Sequence, residues 1–182
     1  MSQPASAASP LTLRPSTEAD LPAIQAIYAH AVEHGTGTFE TEVPSLEEMG
    51  RRRVEVLSRN LPWLVADRGG VILGYAYANY FRPRLAYRFC VEDSIYLAPT
   101  AQGQGVGRLL LAELIARCEA AGSRQMLAVI GDGQNAGSIG VHTALGFEHT
   151  GVLKSAGWKF GRWLDVVLMQ RTLGPGDSGA PA

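Results

Sequence analysis

Apolar residues along this chain recur with two periods, and the points where the period changes mark out its elements. Leu11-Thr12-Leu13-Arg14 alternates and stops at Pro15, the pattern of a first strand. Leu21, Ile24, Ile27, Tyr28 and Val32 then recur at helical spacing. Thr17 and Asp20 stand ahead of them as a capping-box start, with Asp in place of the usual Glu. Gly35-Thr36-Gly37-Thr38 ends that helix, and a loop carries Phe39, Glu40 and Glu42 to Pro44. Ser45 with Glu48 opens a second, charged helix that reaches about Asn60.

Trp63–Asp67 and Val71–Tyr80 read as two strands around the turn Arg68-Gly69-Gly70. A basic, aromatic loop, Phe81-Arg82-Pro83-Arg84-Leu85-Ala86-Tyr87-Arg88, leads into a strand over Cys90–Leu97. A glycine-rich turn follows. After it come an apolar helix over Arg108–Ala121, a short buried strand over Leu127–Ile130 and a helix over Ala136–Leu145. Phe147–Leu153 and Trp163–Arg171 are the last two strands. An early hairpin followed by helix-joined strands predicts an α/β fold with a mixed sheet. Residues 1–10 and 174–182 are small, Pro/Gly/Ser-rich and read as disordered tails, which leaves one domain over 11–173.

Composition narrows the function. The chain has 182 residues, 46% hydrophobic and 18% charged, an ordinary balance for a globular protein. Its 16 basic and 17 acidic side chains give a net charge of −1, no footprint for nucleic acid or an anionic membrane. The start, MSQPASAASP, lacks the basic and apolar regions of a signal peptide, and no stretch approaches a membrane span. Cys90 and Cys118 are too few for a disulfide scaffold or a zinc site, so buried thiols in a reducing cytoplasm are expected, with no metal.

The sharpest local feature is Gln102-Gly103-Gln104-Gly105-Val106-Gly107-Arg108, between a strand and a helix. Glycines there let backbone approach a ligand, and the unpaired N–H groups of a helix start attract an anion. A phosphate-bearing ligand is the physical expectation, against a plain tight turn with no ligand. Two nucleotide motifs fit poorly. A P-loop ends Gly-Lys-Ser/Thr, whereas Gly107 is followed by Arg108-Leu109. A dinucleotide fingerprint reads GxGxxG at the first strand–turn–helix unit, whereas here the spacing is GxGxG and the unit lies late in the chain.

Gln102-x-x-Gly105-x-Gly107, after Ile95-Tyr96-Leu97-Ala98-Pro99, resembles the pyrophosphate-binding motif of the GNAT acetyltransferases. Asn135-Ala136-Gly137-Ser138, running on through His142 to Gly146-Phe147, resembles their second signature. The resemblance covers roughly residues 11–173. It implies a GNAT-type central mixed, mostly antiparallel sheet of six to seven strands flanked by about four helices. Thr38-Phe39-Glu40-Thr41, Val91–Leu97, His142 and Lys159-Phe160-Gly161-Arg162-Trp163-Leu164-Asp165 further resemble the phosphinothricin and methionine sulfoximine N-acetyltransferases. Such proteins are homodimers, and their strand usually reads Val-Glu-His-Ser/Thr; here Asp93 replaces that His.

The resemblance implies acetyl-CoA as acetyl donor and the primary amine of a small amino-acid-like molecule as acceptor, joined by direct attack in a ternary complex. It assigns the pyrophosphate to the backbone of Gly103, Gln104, Gly105, Val106, Gly107 and Arg108. Main-chain groups of Ile95, Tyr96 and Leu97 would meet the pantetheine as an added strand does, and an N–H near Tyr96–Leu97 would polarise the thioester carbonyl. Asn135 and Ser138 complete those contacts. Glu92 is the candidate base, because it interrupts an apolar run and an amine must lose a proton before it attacks. Its plain reading is a solvated edge carboxylate. Alternation sets Glu92, Ser94 and Tyr96 on one face and Val91, Ile95 and Leu97 on the other. His142 takes the place of a tyrosine that protonates the leaving thiolate in many GNAT enzymes, or is a core histidine.

Arg82 and Arg84 are candidates for the substrate's acidic groups, and Phe39, Glu40, Tyr87 and Trp163 for its pocket. Arg51-Arg52-Arg53 reads as a solvated helix face. Two other activities stay open on the sequence: a peptide or protein N-acetyltransferase, and an acetyl-CoA-binding sensor without turnover.

Overall fold

The computed structural model describes residues 9–181, so most of the N-terminal tail, residues 1–8, and residue 182 lie outside the described residues. Seven strands form one sheet: β1 (Leu11–Pro15), β2 (Trp63–Arg68), β3 (Val71–Tyr80), β4 (Cys90–Leu97), β5 (Gln125–Gly131), β6 (Glu148–Lys159) and β7 (Arg162–Thr172). Four helices accompany them: α1 (Leu21–His34), α2 (Leu46–Ser58), α3 (Val106–Ala120) and α4 (Ala136–Ala144). The sheet order is β1-β2-β3-β4-β5-β7-β6. Every neighbouring pair is antiparallel except β4 and β5. The mixed, mostly antiparallel sheet with four helices is the architecture the sequence implied.

Local chemistry explains the helix starts. Asp20 Oδ2 accepts from the Thr17 amide at 2.7 Å, and Ser45 Oγ accepts from the Glu48 amide at 3.1 Å. Asp20 also joins Arg14, which bridges it to Asp67 and ties β1 to β2 and the entry of α1. The Arg14 hydrogen bond, helped by those from Thr17, holds Asp20 well below the usual carboxylate range, with burial acting in the opposite direction.

Alternation along the strands sorts the two faces. Tyr75 and Tyr77 on β3 stack with Trp63, and Tyr96 on β4 stacks on Tyr75, on the face that α1 covers, where Tyr28 meets the Tyr96 ring edge-on at 4.9 Å. Ile95 and Leu97 point the other way, beneath Gly107 of α3. The division of β4 read from the sequence is the one observed. Leu110, Leu111, Leu114 and Cys118 of α3 are fully buried against that second face.

The largest departures from the sequence reading lie in β6 and the C-terminal tail. β6 runs six residues past Leu153, to Lys159, through a bulge in which Leu153 pairs with Val166 and Gly157 with Leu164. Ser155 turns there with φ of 49°, its amide held by Asp165, an interruption that alternation alone conceals. At the other end, residues 174–178, read as tail, make turn hydrogen bonds, and Arg124 reaches the Gly176 carbonyl. No helix among the described residues is long and apolar enough to cross a membrane. Cys90 and Cys118 are free thiols, and burial raises that of Cys118 to about 12.

Candidate active site

β4 and β5 pair only over Cys90–Glu92 and Gln125–Leu127. Beyond Glu92 the two strands part, so the β5-facing main chain of Asp93–Leu97 runs on without a ladder partner. Edge groups of this kind accept an extended ligand as an extra strand. Ile95, Tyr96 and Leu97 are all half-buried in this stretch.

The glycine-rich turn stands just past the end of β4. Gly103 and Gly105 have φ of 71° and 78°, the left-handed region that favours glycine, and a Cβ on either would meet nothing within 4 Å. Gly105 is the N-cap of α3, which starts two residues earlier than the sequence predicted, at Val106. The amides of Val106, Gly107 and Arg108 therefore belong to a free first turn, with Leu109 the first to bond back, to the Gly105 carbonyl at 3.2 Å. Open space over a ring of unpaired N–H groups fits a pyrophosphate. Gln104 folds back, its side-chain amide nitrogen donating to the Thr100 carbonyl at 2.5 Å and its Oε1 accepting from Arg68 at 3.4 Å. Asn135 caps α4, its Oδ1 accepting from the Ser138 amide at 3.1 Å, on the β5 side of the opening.

Glu92 is the last paired residue before the strands part, opposite Asn79 on β3 and Leu127 on β5. Burial raises its carboxyl above the ordinary value; the neighbouring charge of Asp93 adds to this and Arg82 opposes it. A half-buried carboxyl with a raised pKa suits proton acceptance from an amine better than a solvated edge residue does. Arg82 is exposed and stacks on Phe81 at 4.3 Å. Arg84 is exposed in the same loop, and Tyr87, 42% exposed, meets Phe81 edge-on at 6.0 Å.

Of the two readings of His142, the structure displays the geometry of a partnered core histidine. It is 2% exposed, with Nε2 3.0 Å from Asp93 Oδ2 and Nδ1 2.7 Å from the Ser138 carbonyl. Both partners are acceptors, which suits an imidazolium donating twice. Burial lowers its pKa, but the Asp93 hydrogen bond and charge, helped by Ser138, outweigh burial and leave it raised. Protonation of a leaving thiolate by this ring would require the pair to open. Asp93, which takes the position of the usual His, is thus a buried partner that binds β4 to α4.

The acceptor side is framed by the loop between α1 and α2. Thr38 and Tyr28 share a hydroxyl hydrogen bond of 2.9 Å, and Glu40 is paired with Arg52 at 2.6 Å. Arg52 was hidden in a run of three arginines; it also bonds Glu48 at 2.8 Å, while its neighbour Arg53 turns to Ser16 instead. Only its position one turn past Glu48 could have distinguished it. Phe39 lies over the glycines of β5 and β6. Trp163 is not brought to this group in the single chain: it is 60% exposed and packs on Trp158 at 5.2 Å, at the tip of the β6–β7 hairpin.

Comparison with known proteins agrees with this geometry. Residues 24–147 match the model of the Acetyltransferase (GNAT) family. The phosphinothricin N-acetyltransferase of Alcaligenes faecalis is 57% identical over 93% of this chain and 86% of its own length. The L-methionine sulfoximine/L-methionine sulfone acetyltransferase of Pseudomonas paraeruginosa is 42% identical over 90% of this chain and 95% of its own. A crystal structure of the GNAT superfamily phosphinothricin acetyltransferase from Sinorhizobium meliloti, in complex with AcCoA, superposes with a TM-score of 0.92. It is 50% identical and covers 94% of this chain and 93% of that one.

Proposed function

This chain belongs to the GNAT acetyltransferase family, and we propose that it moves an acetyl group from acetyl-CoA to the primary amine of a small amino-acid-like substrate of the phosphinothricin or methionine sulfoximine type. The observation that carries the reading is the parting of β4 and β5 at a half-buried Glu92, in line with the glycine turn that opens α3. Bound acetyl-CoA supplies the acyl group already activated as a thioester. The amides of Val106, Gly107 and Arg108 hold the pyrophosphate, with Gly103, Gln104 and Gly105 keeping the approach clear. The free edge at Ile95, Tyr96 and Leu97 takes the pantetheine, and Asn135 and Ser138 face it from α4. A main-chain N–H on that edge meets the charge that develops on the carbonyl oxygen, a contact typically worth ~3 kcal/mol.

Glu92 then removes the proton from the substrate ammonium, directly or through a water, which frees the nitrogen lone pair to attack. Burial raises its pKa, which makes it a stronger proton acceptor than a solvated carboxylate, and such a base contributes roughly 10²–10⁴ in rate. Arg82 and Arg84 bind the acidic groups of the substrate, while Phe39, Glu40 and Tyr87 bound the pocket. We read His142 as held by Asp93 and as fixing α4, and with it Asn135 and Ser138, against β4.

We also propose a homodimer. Val152, Leu153, Trp158, Phe160 and Trp163 are 45–60% exposed along β6, an edge strand, and the hairpin tip. In a dimer Trp163 could still meet an acceptor site, that of the second copy. The two free thiols and the intracellular supply of acetyl-CoA support a cytoplasmic enzyme.

A panel assay decides the substrate class. CoA release is followed as free thiol with phosphinothricin, methionine sulfoximine, L-amino acids and short peptides. Turnover confined to the small amines supports the proposal; turnover confined to peptides refutes it.

A further inference from the structure

Lys159, the last residue of β6, is among the few buried charged side chains, 4% exposed. Its Nζ donates to the Gly35 carbonyl and to the Thr38 carbonyl, each at 2.8 Å, across more than a hundred residues of sequence. Burial lowers its pKa, a cost that a surface lysine would avoid, with Glu40 acting in the opposite direction. The loop it grips carries Phe39 and Glu40.

The same loop is seated on two backbones that have no side chain. A Cβ on Gly157 would come within 2.1 Å of the Phe39 ring, and a Cβ on Gly131 within 2.2 Å of the Thr36 carbonyl and 3.1 Å of that ring. Gly157 is the residue at which the β6 bulge ends and pairing with β7 resumes. The bulge and the tight 159–162 hairpin, with Phe160 and Gly161 at positive φ, aim Lys159 at the loop.

We propose that Lys159 is a positioning residue for the amine substrate. Its ammonium latches the 35–40 loop onto β5 and β6, so that Phe39 and Glu40 stand at the acceptor mouth. The proposal rests on the acetyl-transfer reading, and it predicts a selective effect, since the latch lies away from the glycine turn that holds the pyrophosphate.

The test compares wild type with Lys159→Met, Lys159→Arg and Gly157→Ala by amide hydrogen exchange, acetyl-CoA binding and steady-state kinetics. Lys159→Met is expected to speed exchange over residues 35–40 and to raise the KM of the amine about tenfold, the loss of one or two charge-assisted hydrogen bonds. Acetyl-CoA affinity should stay within about twofold, because the α3 amides are untouched. Lys159→Arg, which keeps donors, should recover part of the loss. Gly157→Ala, which displaces the Phe39 ring and leaves the lysine, should show the same signature even if Lys159→Met fails to fold. Unchanged exchange over 35–40 in both variants overturns the latch, as does a parallel fall in acetyl-CoA affinity. If wild type turns over no amine, the acetyl-transfer reading fails, and the exchange comparison still decides the latch.

Discussion

Replacing Asp93 by Asn tests the buried pair at the root of β4. Both side chains of the pair are 2% exposed, and Asp93 Oδ1 has no other partner. Asn keeps the shape and can donate to Nε2 of a neutral ring while Nδ1–H still donates to Ser138, so the fold should survive. What is lost is the charge that raises the His142 pKa. In the wild type this raised pKa contributes stability that is fully present below the unfolded value near 6.5 and is lost as pH rises through the folded pKa. Each unit of elevation amounts to about 1.4 kcal/mol. In the variant, burial lowers the pKa and only the Ser138 carbonyl bond opposes it, so the stabilisation at low pH is lost. The gap between the two proteins should therefore be about 2–4 kcal/mol at pH 5, near the cost of breaking a buried pair, and about 1 kcal/mol at pH 9. Urea unfolding at the two pH values measures it, with the His142 ring resonance titrated alongside. A gap that is independent of pH, or wider at pH 9, would refute the assignment of a charged His142.

Two other substitutions probe the ligand sites. Gly105→Val places a branched side chain at φ of 78° over the open turn; it should cost about 1–2 kcal/mol of stability and weaken acetyl-CoA binding at least tenfold by calorimetry. Arg82→Ala removes the one charge that lowers the Glu92 pKa, so the acid limb of kcat/KM assigned to Glu92 should move to higher pH while the amine KM rises.

Much of the fold was legible because its elements are bounded by strong local chemistry. Ser45 and Thr17 mark helix starts, Gly69-Gly70 a hairpin, and alternation along Cys90–Leu97 gave the two faces of β4 correctly. The glycine turn was equally legible, since GxGxG before an apolar helix has few other uses. The parts that were missed depend on contacts between distant segments. The far half of β6 hides behind a bulge at Ser155, where alternation lapses. Arg52 read as part of a solvated helix face and Lys159 only as one residue of a motif, and only the folded chain shows the first paired with Glu40 and the second gripping the 35–40 loop. His142 was found by position in a motif, but its partner Asp93 stood as an unexplained departure. Trp163 was a pocket candidate for its aromatic character, and the hairpin that exposes it on the single chain is not legible from that character.

The account turns on Glu92 at the parting of β4 and β5, and the most direct test is Glu92→Gln in the free-thiol assay with a small amine that the wild type accepts. The prediction is a fall in kcat of about 10²–10⁴ with acetyl-CoA affinity unchanged, the loss of a base from an intact site. A folded Glu92→Gln protein that keeps most of its kcat would contradict it, and the proton would have to leave by another group.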